Sequence, residues 1–580
     1  MPTPTLNTTT GAITPNPLME KLKAEKKAGF ELQKRRHNDW TETYDLYRNK
    51  VITNRLTQRQ AVNIPLMKET IKTMLSTIDE APGIEWVELS GDEEKEIIYQ
   101  EVWDDNMRQK KYELIDIMDK KNVLIYGIGN KFLNIEEDGI SLSALDPFDV
   151  LYDPLMLPGQ IETARFWIRQ NIFRSVRDIL ADDSYTTEGK QNLNIWLDSS
   201  PGITQSNANR EEWQKKMQRI KDMGVQDSQF AFYAGGDRLI NLSEHFTNVW
   251  DSEKKKFVRH VVVYADDTIE LKKRTLKEAL GVEFWPAVCW SEDPESQDIY
   301  SDSVGDLVRT PNKVLNVWYS QLIENRTLKN FQMHWYLPVQ GYTAQTYQPG
   351  PGVMLPAPPG DDINKVIQPV QIDGLDDTLM AINAITQIVE RGSGATAIEK
   401  GEPESGTQTL GEIEILVGKA TERTVGIAKF YKMSWYELAW KWDKLMHANA
   451  PKFLKLYKKS RSGKIYPKRV YAGDWKSEAG YEPLVRSSSE QEQENIKTLQ
   501  KFQVVLQQFP NNPALKKIAQ RRELEMLNLS PEELKQVGDA EDALQKQAEA
   551  QASAAANGGA PAPAANQEGE VANLIGELVG

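Results

Sequence analysis

Five histidines (His37, His245, His260, His334 and His447) and the single Cys289 are the side chains from which a zinc site or a nucleophile–base pair would be built. They are scattered, with no His-Glu-x-x-His and no second cysteine, so a zinc site lacks donors at the required spacing. Gly411-Glu-Ile-Glu-Ile-Leu-Val-Gly418-Lys419-Ala420 superficially suggests a phosphate-binding loop. It has six residues between its glycines where four are needed, and Ala420 stands where a hydroxyl would ligate Mg²⁺. Its apolar residues recur at helical spacing. Gly127-Ile-Gly129 lacks a third glycine and leads into the alternating Lys131–Glu136, which reads as a hairpin strand rather than a dinucleotide site. No Gly-x-Ser-x-Gly elbow occurs. Asp146, Asp149 and Asp153 could in principle hold a cation, but proline and aromatic residues break their spacing and turn capping is the expectation. The residues therefore predict no catalytic set, no metal and no cofactor, and a protein that is not an enzyme.

The 580 residues are too many for one compact core. Lys plus Arg is 70 and Asp plus Glu is 84, a formal net charge of −14, which argues against a surface that coats nucleic acid with cations. No run approaches the roughly 18 apolar residues of a membrane span. The opening Met1-Pro-Thr-Pro-Thr-Leu has no basic start followed by an apolar core, so no signal peptide is expected. One cysteine excludes an intramolecular disulfide and suits a reducing compartment.

Residues 1–17 are Thr- and Pro-rich and read as a mobile arm. From Met19 the spacing predicts a helix whose later part aligns Trp40, Tyr44, Tyr47 and Val51 in one core-facing aromatic stripe. After Ile64-Pro65 a second helix carries Met67, Ile71, Met74, Leu75 and Ile78. A strand at Ile84–Leu89, a long charged helix from about Asp92 to Asn122, and paired strands at Val123–Ile128 and Lys131–Ile135 follow. Leu145–Pro154 is rich in turn formers. Strands are expected at Arg165–Phe173, at Leu239–Trp250 and Phe257–Ala265 around Asp251-Ser-Glu-Lys-Lys, and at Glu283–Trp290. The order is that of an α+β domain.

Asp302–Asn330 predicts a helix with Val304, Leu307, Val308, Leu315, Trp318, Tyr319 and Leu322 along one side, and Pro311 bending or breaking it early. Residues 331–373 change character: Pro349-Gly-Pro-Gly352 and Pro356-Ala-Pro-Pro-Gly360 lie between β-like runs such as Val366–Ile372. A helix from about Asp373 to Arg391 places Leu375, Leu379, Ile382, Ile385, Ile388 and Val389 on one face, with Asp373, Asp376 and Asp377 suiting its dipole. Opposite are Thr378, Asn383, Ala384, Thr386 and Gln387, small, polar and uncharged where a solvated helix would ordinarily carry Lys and Glu. The eighteen-residue loop Gly392–Thr409 is of a length that is usually functional or disordered. Leu410 to about Met446 reads as one helix ending in Phe430, Tyr431, Trp435, Tyr436, Trp440 and Trp442.

Lys452–Arg469 has eight basic residues and no acid, among them Lys455, Lys458, Lys459, Arg461, Lys464, Lys468 and Arg469, with Phe453, Tyr457 and Tyr466 interleaved about an Arg461-Ser-Gly-Lys464 turn. Two readings stand equally: a nucleic-acid surface, and a positive patch meeting an acidic neighbour. Residues 488–540 return to helices. The Ala-, Gln- and Gly-rich tail from 541 is expected to be disordered, ending in a short amphipathic motif at Val571–Gly580 suited to docking on a partner.

From about 20 to 540, this order of elements resembles the portal (head-to-tail connector) proteins of tailed bacteriophages. The resemblance rests on Trp40–Arg48 with Ile64-Pro65, the Leu145–Pro154 turn, Asp302–Asn330 followed by an insertion, and Asp373–Thr409. The tail departs from it, because its composition argues against the stiff helical barrel that some portals carry. The resemblance implies a portal-like α+β ring subunit: an α+β wing at 18–301, stem helices at 302–330 and 373–391, and a small β-containing clip at 331–372. It further implies a tunnel loop at 392–409, a long wing helix at 410–450, and a basic hairpin with helical crown at 451–540.

About twelve copies would then surround a channel lined by Thr378, Asn383, Ala384, Thr386 and Gln387. The tunnel loop would present Gly392, Gly394, Glu399, Lys400, Glu402 and Glu404, with Lys400 either touching phosphate or solvated among its glutamates. Tyr342, Tyr347, Pro349, Pro356 and Pro359 would form the partner-binding clip. The implied partners are double-stranded DNA in the channel, the terminase large subunit, head-completion and adaptor proteins, and the major capsid and scaffolding proteins, with no membrane. The implied setting is the capsid portal vertex of the virion, with host cytoplasm during assembly, and the implied role is genome packaging and ejection. The alternatives are another oligomeric virion or scaffold protein without a DNA channel, and an enzyme acting on nucleic acid, for which no metal carboxylate set or nucleophile–base pair emerges.

Overall fold

The computed structural model describes residues 17–50, 62–78, 82–136, 139–199, 239–265, 267–330, 334–336, 367–369, 376–393, 410–459 and 465–486. The chain divides into two compact units, Met1–Ser487 and Ser488–Gly580, and the described residues all belong to the first. The arm up to residue 16, Val51, and the predicted terminal helices and tail lie outside them.

Helix α1 (Pro17–Lys34) leads into α2 (His37–Tyr47). Trp40 is fully buried, meeting Phe148 and Tyr300 edge-on at 5.2 Å each, while Tyr44 and Tyr47 are half-buried beside it. Helix α3 (Leu66–Thr77) buries Met67, Ile71 and Met74, the stripe that their four- and three-residue spacing predicts, and Ile78 is buried just beyond its end. Strand β1 (Gly83–Glu88) alternates outward and inward.

The next stretch departs from the sequence expectation of one long helix followed by a strand pair. Two helices form instead, α4 (Glu93–Gln109) and α5 (Tyr112–Tyr126), separated at Lys111, whose φ is 54°. In one continuous helix Trp103 and Tyr112, nine residues apart, would point to opposite sides, at about 100° per residue. The left-handed residue lets both face the core, where their rings lie 6.2 Å apart. Val123–Tyr126 is not a strand but the last turn of α5, buried on every side and stopped by Gly127 at φ 83°. A continuous apolar run is ambiguous between strand and enclosed helix. Strand β2 (Gly129–Glu136) pairs instead with β3 (Gly139–Ala144).

Beyond these come β4 (Val150–Tyr152), β5 (Phe166–Ser175), α6 (Val176–Ala181), α7 (Thr187–Ser199), β6 (Leu239–Asp251), β7 (Lys256–Ala265), β8 (Ile269–Thr275), α8 (Leu276–Leu280) and β9 (Ala287–Trp290). Strands β4 to β8 form an antiparallel sheet in chain order, and β3-β2-β9 form a second one. The five-stranded sheet is covered on both faces. Met19 and Leu22 of α1 pack on Val262 and Tyr264, while Val263 and Leu271 point the other way, to Leu193 of α7.

The remaining elements are α9 (Val304–Asn330), the short ribbon of β10 (His334–Tyr336) and β11 (Ile367–Pro369), α10 (Asp376–Ser393), α11 (Leu410–Ala448), the hairpin β12 (Phe453–Lys459) and β13 (Ile465–Tyr471), α12 (Ala472–Trp475), and β14 (Tyr481–Arg486). Strand β14 pairs antiparallel with β1, so the described unit closes on its own beginning. Pro311 lies inside α9 without ending it.

Helix α11 is the spine of the main core. Tyr431, Trp435, Leu438, Trp442 and Leu445, at steps of four and three, are all buried, and Trp442 meets Trp103 edge-on at 4.7 Å. Each buried aromatic removes about 150–250 Å² from water. At the level of Trp435 the core is ionic. Asp116 accepts from the Tyr431 hydroxyl at 2.6 Å and the Trp435 indole at 3.1 Å, and pairs with Lys120 at 2.9 Å. Asp119 accepts from the Trp290 indole at 2.7 Å and the Asn130 amide at 2.8 Å. Lys131 stands between the carboxylates at 3.5 and 3.6 Å, donates to Ser434 at 3.3 Å, and faces the rings of Trp435, Tyr431 and Trp290. Burial pushes the Asp119 carboxyl up, against the pull of the Lys131 charge.

Two outcomes are expected. Asp119→Ala and Lys131→Met should each destabilise the protein by about 3–5 kcal/mol in urea unfolding, because each strands a buried charge, and the double variant should cost less than their sum. Glu88, which accepts from the Asp92 and Ser90 amides, the Ser90 hydroxyl and the Ser477 hydroxyl, is held at about 2 by those donors, the Asp92 amide first. A folded value below the ordinary 4.5 contributes stability that is present above about pH 4.5 and lost as the pH falls toward 2. Glu88→Gln should therefore flatten the acid limb of a plot of urea midpoint against pH.

Candidate functional site

Two surfaces carry the residues singled out by the sequence: the α9–α10 helical hairpin and the β12–β13 hairpin. Helix α9 begins at a reciprocal cap. The Ser303 hydroxyl accepts from the Asp306 amide at 2.9 Å, and Asp306 accepts from the Ser303 amide at 3.1 Å. Asp306 also binds Arg36 at 2.5 Å and Arg309 at 2.7 Å, and Arg309 reaches Asp39 at 3.3 Å. Behind the cap Glu292 accepts from the Val304 amide, and burial pushes its carboxyl well up. Gly305 is where α9 crosses closest to the body: a Cβ there would lie 2.5 Å from Thr43 Cγ2 and 2.9 Å from the Ile125 carbonyl.

About two turns further along, a polar ladder holds α9. Asn312, Asn316 and Ser320 accept from the backbone amides of Met67, Ile64 and Val62 at 3.0, 2.8 and 3.1 Å. The four-residue period puts all three on one stripe of α9, against the chain entering α3. In the sequence this ladder is carried by Asn-x-x-x-Asn-x-x-x-Ser on the side of α9 that also buries Val308 and Leu315. Pro311 forfeits the bond to the Leu307 carbonyl. Leu307, expected on the packed side, is nearly half exposed and lies over Gly392.

Gly392, at the end of α10, meets Leu307, near the start of α9, so the two helices run antiparallel and join through the β10–β11 ribbon. Helix α10 buries Ile382, Val389 and Ser393. Thr378 and Thr386 lie on that same packed stripe, each half-buried, and the Thr386 hydroxyl turns back to the Ile382 carbonyl at 3.0 Å. This corrects the five-residue polar face: Asn383, Ala384 and Gln387 are exposed together, whereas the two threonines are not with them. The apolar set also divides. Leu379 (53% exposed) and Ile388 (61%) join Met380 (77%) on the open side, because contact with α9 covers a narrower arc than six apolar positions span. Thr386→Lys should therefore destabilise the protein by about 1–3 kcal/mol in thermal unfolding, whereas Asn383→Lys should stay within about 0.5 kcal/mol of the parent.

On the β12–β13 hairpin Leu454, Leu456 and Val470 are buried toward α4, and Lys468 reaches Glu101 at 4.0 Å. Lys455 and Arg469 are exposed and directly paired in register. Lys458 and Lys459 lie on β12, while Arg461 and Lys464 fall outside the described residues. So do Gly394, Glu399, Lys400, Glu402 and Glu404 of the expected loop, and Tyr342, Tyr347, Pro349, Pro356 and Pro359 of the expected clip.

The residues considered for chemistry are otherwise engaged. Asp146 caps the Pro147–Asp149 turn, Asp149 accepts from Asn171, and Asp153 binds Arg165 twice at 2.8 Å. Gly411–Ala420 lies within α11. Burial pushes the Cys289 thiol up to about 12. Among the described residues no three His, Cys, Asp or Glu side chains are grouped to hold a metal ion, and no helix is long and apolar enough to cross a membrane.

No family model and no curated protein matches the chain. Among solved structures it is similar to a chain in the neck of an empty gene transfer agent particle computed with C6 symmetry, at 12% identity and TM-score 0.34, covering 74% of this chain and 84% of that one. A chain in the virion of a native gene transfer agent particle is similar at 12% identity and TM-score 0.34, covering 70% and 81%. At this level the likeness carries no argument about function.

Proposed function

We propose that the chain is the subunit of an oligomeric ring of the portal type, placed at the capsid vertex of a phage-like particle, through which double-stranded DNA is packaged and ejected. The observation that supports this reading is the one-sided attachment of the α9–α10 hairpin. Its base is pinned by ion pairs and its α9 flank by the amide ladder, while Val317, Ile323, Leu379, Met380 and Ile388 are left open. Large apolar side chains exposed along one helical hairpin call for cover, and neighbouring copies arranged head-to-tail around a closed ring supply it without a second kind of partner. In this reading Asn383 and Gln387 border the bore, where uncharged side chains neither trap nor repel phosphates, while Ala384, on one four-residue stripe with Met380 and Ile388, falls to the neighbouring copy.

The same reading makes 18–301 and 410–450 the α+β wing, 302–330 and 373–391 the stem, 331–372 the clip, 392–409 the tunnel loop and 451–540 the crown. The clip would engage a separate packaging ATPase, the terminase large subunit, and later the head-completion proteins. Purified protein viewed by electron microscopy should show rings of about twelve subunits with a central hole, whereas monomers or solid assemblies would overturn the reading. Met380→Asp with Ile388→Asp should leave folded monomers in place of rings. Asn383→Lys with Gln387→Lys should keep the rings but slow DNA packaging, and an unchanged rate would place that face away from the bore.

A further inference from the structure

The β12–β13 hairpin shows an outer face that the ring reading does not use. Period-two alternation turns Leu454, Leu456 and Val470 inward and leaves Phe453, Lys455, Arg469 and Tyr471 outward, in the register Phe453↔Tyr471 and Lys455↔Arg469. Like charges directly opposite each other weaken a strand pair. Among the described residues no carboxylate forms an ion pair with either cation, so the hairpin's own stability does not account for them. The two outer rings are unusually open, Phe453 at 42% and Tyr471 at 55%, and the Arg469 guanidinium lies over the Phe453 ring at 5.5 Å from its centroid. Behind the hairpin, on its inward side, a cleft of about 530 Å³ separates it from α4, lined by Leu454, Leu456, Val102 and Met446 together with Lys452, Asp105 and Gln109. The Asp105 carboxylate accepts from Arg108 and Gln109, so its charge is already engaged.

We propose that this face binds the sugar-phosphate backbone of a nucleic acid, with Lys452, Lys455 and Arg469 neutralising phosphates and Phe453 and Tyr471 offering ring faces to bases or sugars. Side chains on one side of a strand recur about every 7 Å and neighbouring strands lie about 5 Å apart, so Lys455 and Arg469 sit side by side, and the exposed Lys452 lies just before β12 begins. An acidic protein would be served by cations alone. Exposed aromatic rings set among cations are how strands are held without regard to sequence. The net charge of −14 over the whole chain confines such binding to a local patch and makes it sensitive to salt. The inference rests on the hairpin and not on ring formation.

The test is fluorescence anisotropy of labelled DNA of about 30 nucleotides, single-stranded and duplex, with the full chain at about 50 and 200 mM salt. Lys455→Glu with Arg469→Glu should weaken binding at least about tenfold and lower the duplex salt slope by about two. Lys455→Gln with Arg469→Gln, which preserves shape, should lower that slope equally and serves if charge reversal disturbs folding. Phe453→Ala with Tyr471→Ala should weaken single-strand binding more than duplex binding, and whichever DNA form binds tighter identifies the natural form. Lys256→Glu with Lys273→Glu, exposed on the five-stranded sheet, should leave affinity unchanged. Three results would overturn the proposal: no DNA binding by the parent, parental affinity in the Lys455/Arg469 variants, or binding of polyglutamate in place of DNA. Ring counts on the same samples report the oligomer separately.

Discussion

Four charges and three aromatic rings meet where α5, β2, β9 and α11 converge, and the placement of the β12–β13 surface depends on how they meet. Asp116, Asp119, Lys120 and Lys131 sum to zero charge, and each carboxylate is finished by an indole or phenol donor. Ions taken out of water cost several kcal/mol each unless their partners are nearly ideal. A rotation of α11 would separate Tyr431 and Trp435 from Asp116 and leave that cost uncompensated, so the cluster selects one rotation among the many that an apolar stripe tolerates. Whether such clusters add net stability over a wholly apolar core is a separate matter from the register they impose.

With α11 fixed, its C-terminal turns carry the chain to Pro451 and the β12–β13 hairpin, which settles on α4 by Leu454, Leu456 and Val470. Its basic outer side is then turned outward by strand alternation alone. At the other end of the fold, α9 is held by groups that bind backbone rather than side chains. Asn312, Asn316 and Ser320 occupy amides in the segment entering α3, and the missing Cβ of Gly305 admits the Ile125 carbonyl. Such contacts set position closely while burying little area, and the distal part of the α9–α10 hairpin is left open.

The elements most legible in the sequence were those whose signal is local. Met67, Ile71, Met74 and Ile78 gave α3 its stripe, Asp251-Ser-Glu-Lys-Lys marked the β6–β7 turn, and the aromatic series from Phe430 to Trp442 marked the end of α11, though not which of its rings are buried: Tyr431, Trp435 and Trp442 are, while Tyr436 and Trp440 are open. The helix across Gly411–Ala420 was readable too, because apolar spacing there contradicts a phosphate loop. The α10 face was half legible: Asn383, Ala384 and Gln387 are together in space, but Thr378 and Thr386 share the stripe of Ile382 and Val389. A polar residue at helical period with a buried one is still polar on paper, and back-bonding of its hydroxyl to the turn before it is what lets it pack.

The sequence by itself determined the periodic elements, the acidic total, and the basic run at 452–469 with its interleaved rings. Only the tertiary structure decided that the chain breaks at Lys111, that Val123–Tyr126 is helix, which side of α10 faces α9, and that Lys131 meets Ser434 across 303 residues of chain. The physical reason is common to all four. Periodicity reports what a residue's near neighbours favour, whereas an enclosed helix, a left-handed break and a buried charge are each made tolerable by partners from remote parts of the chain, whose arrival no local pattern records.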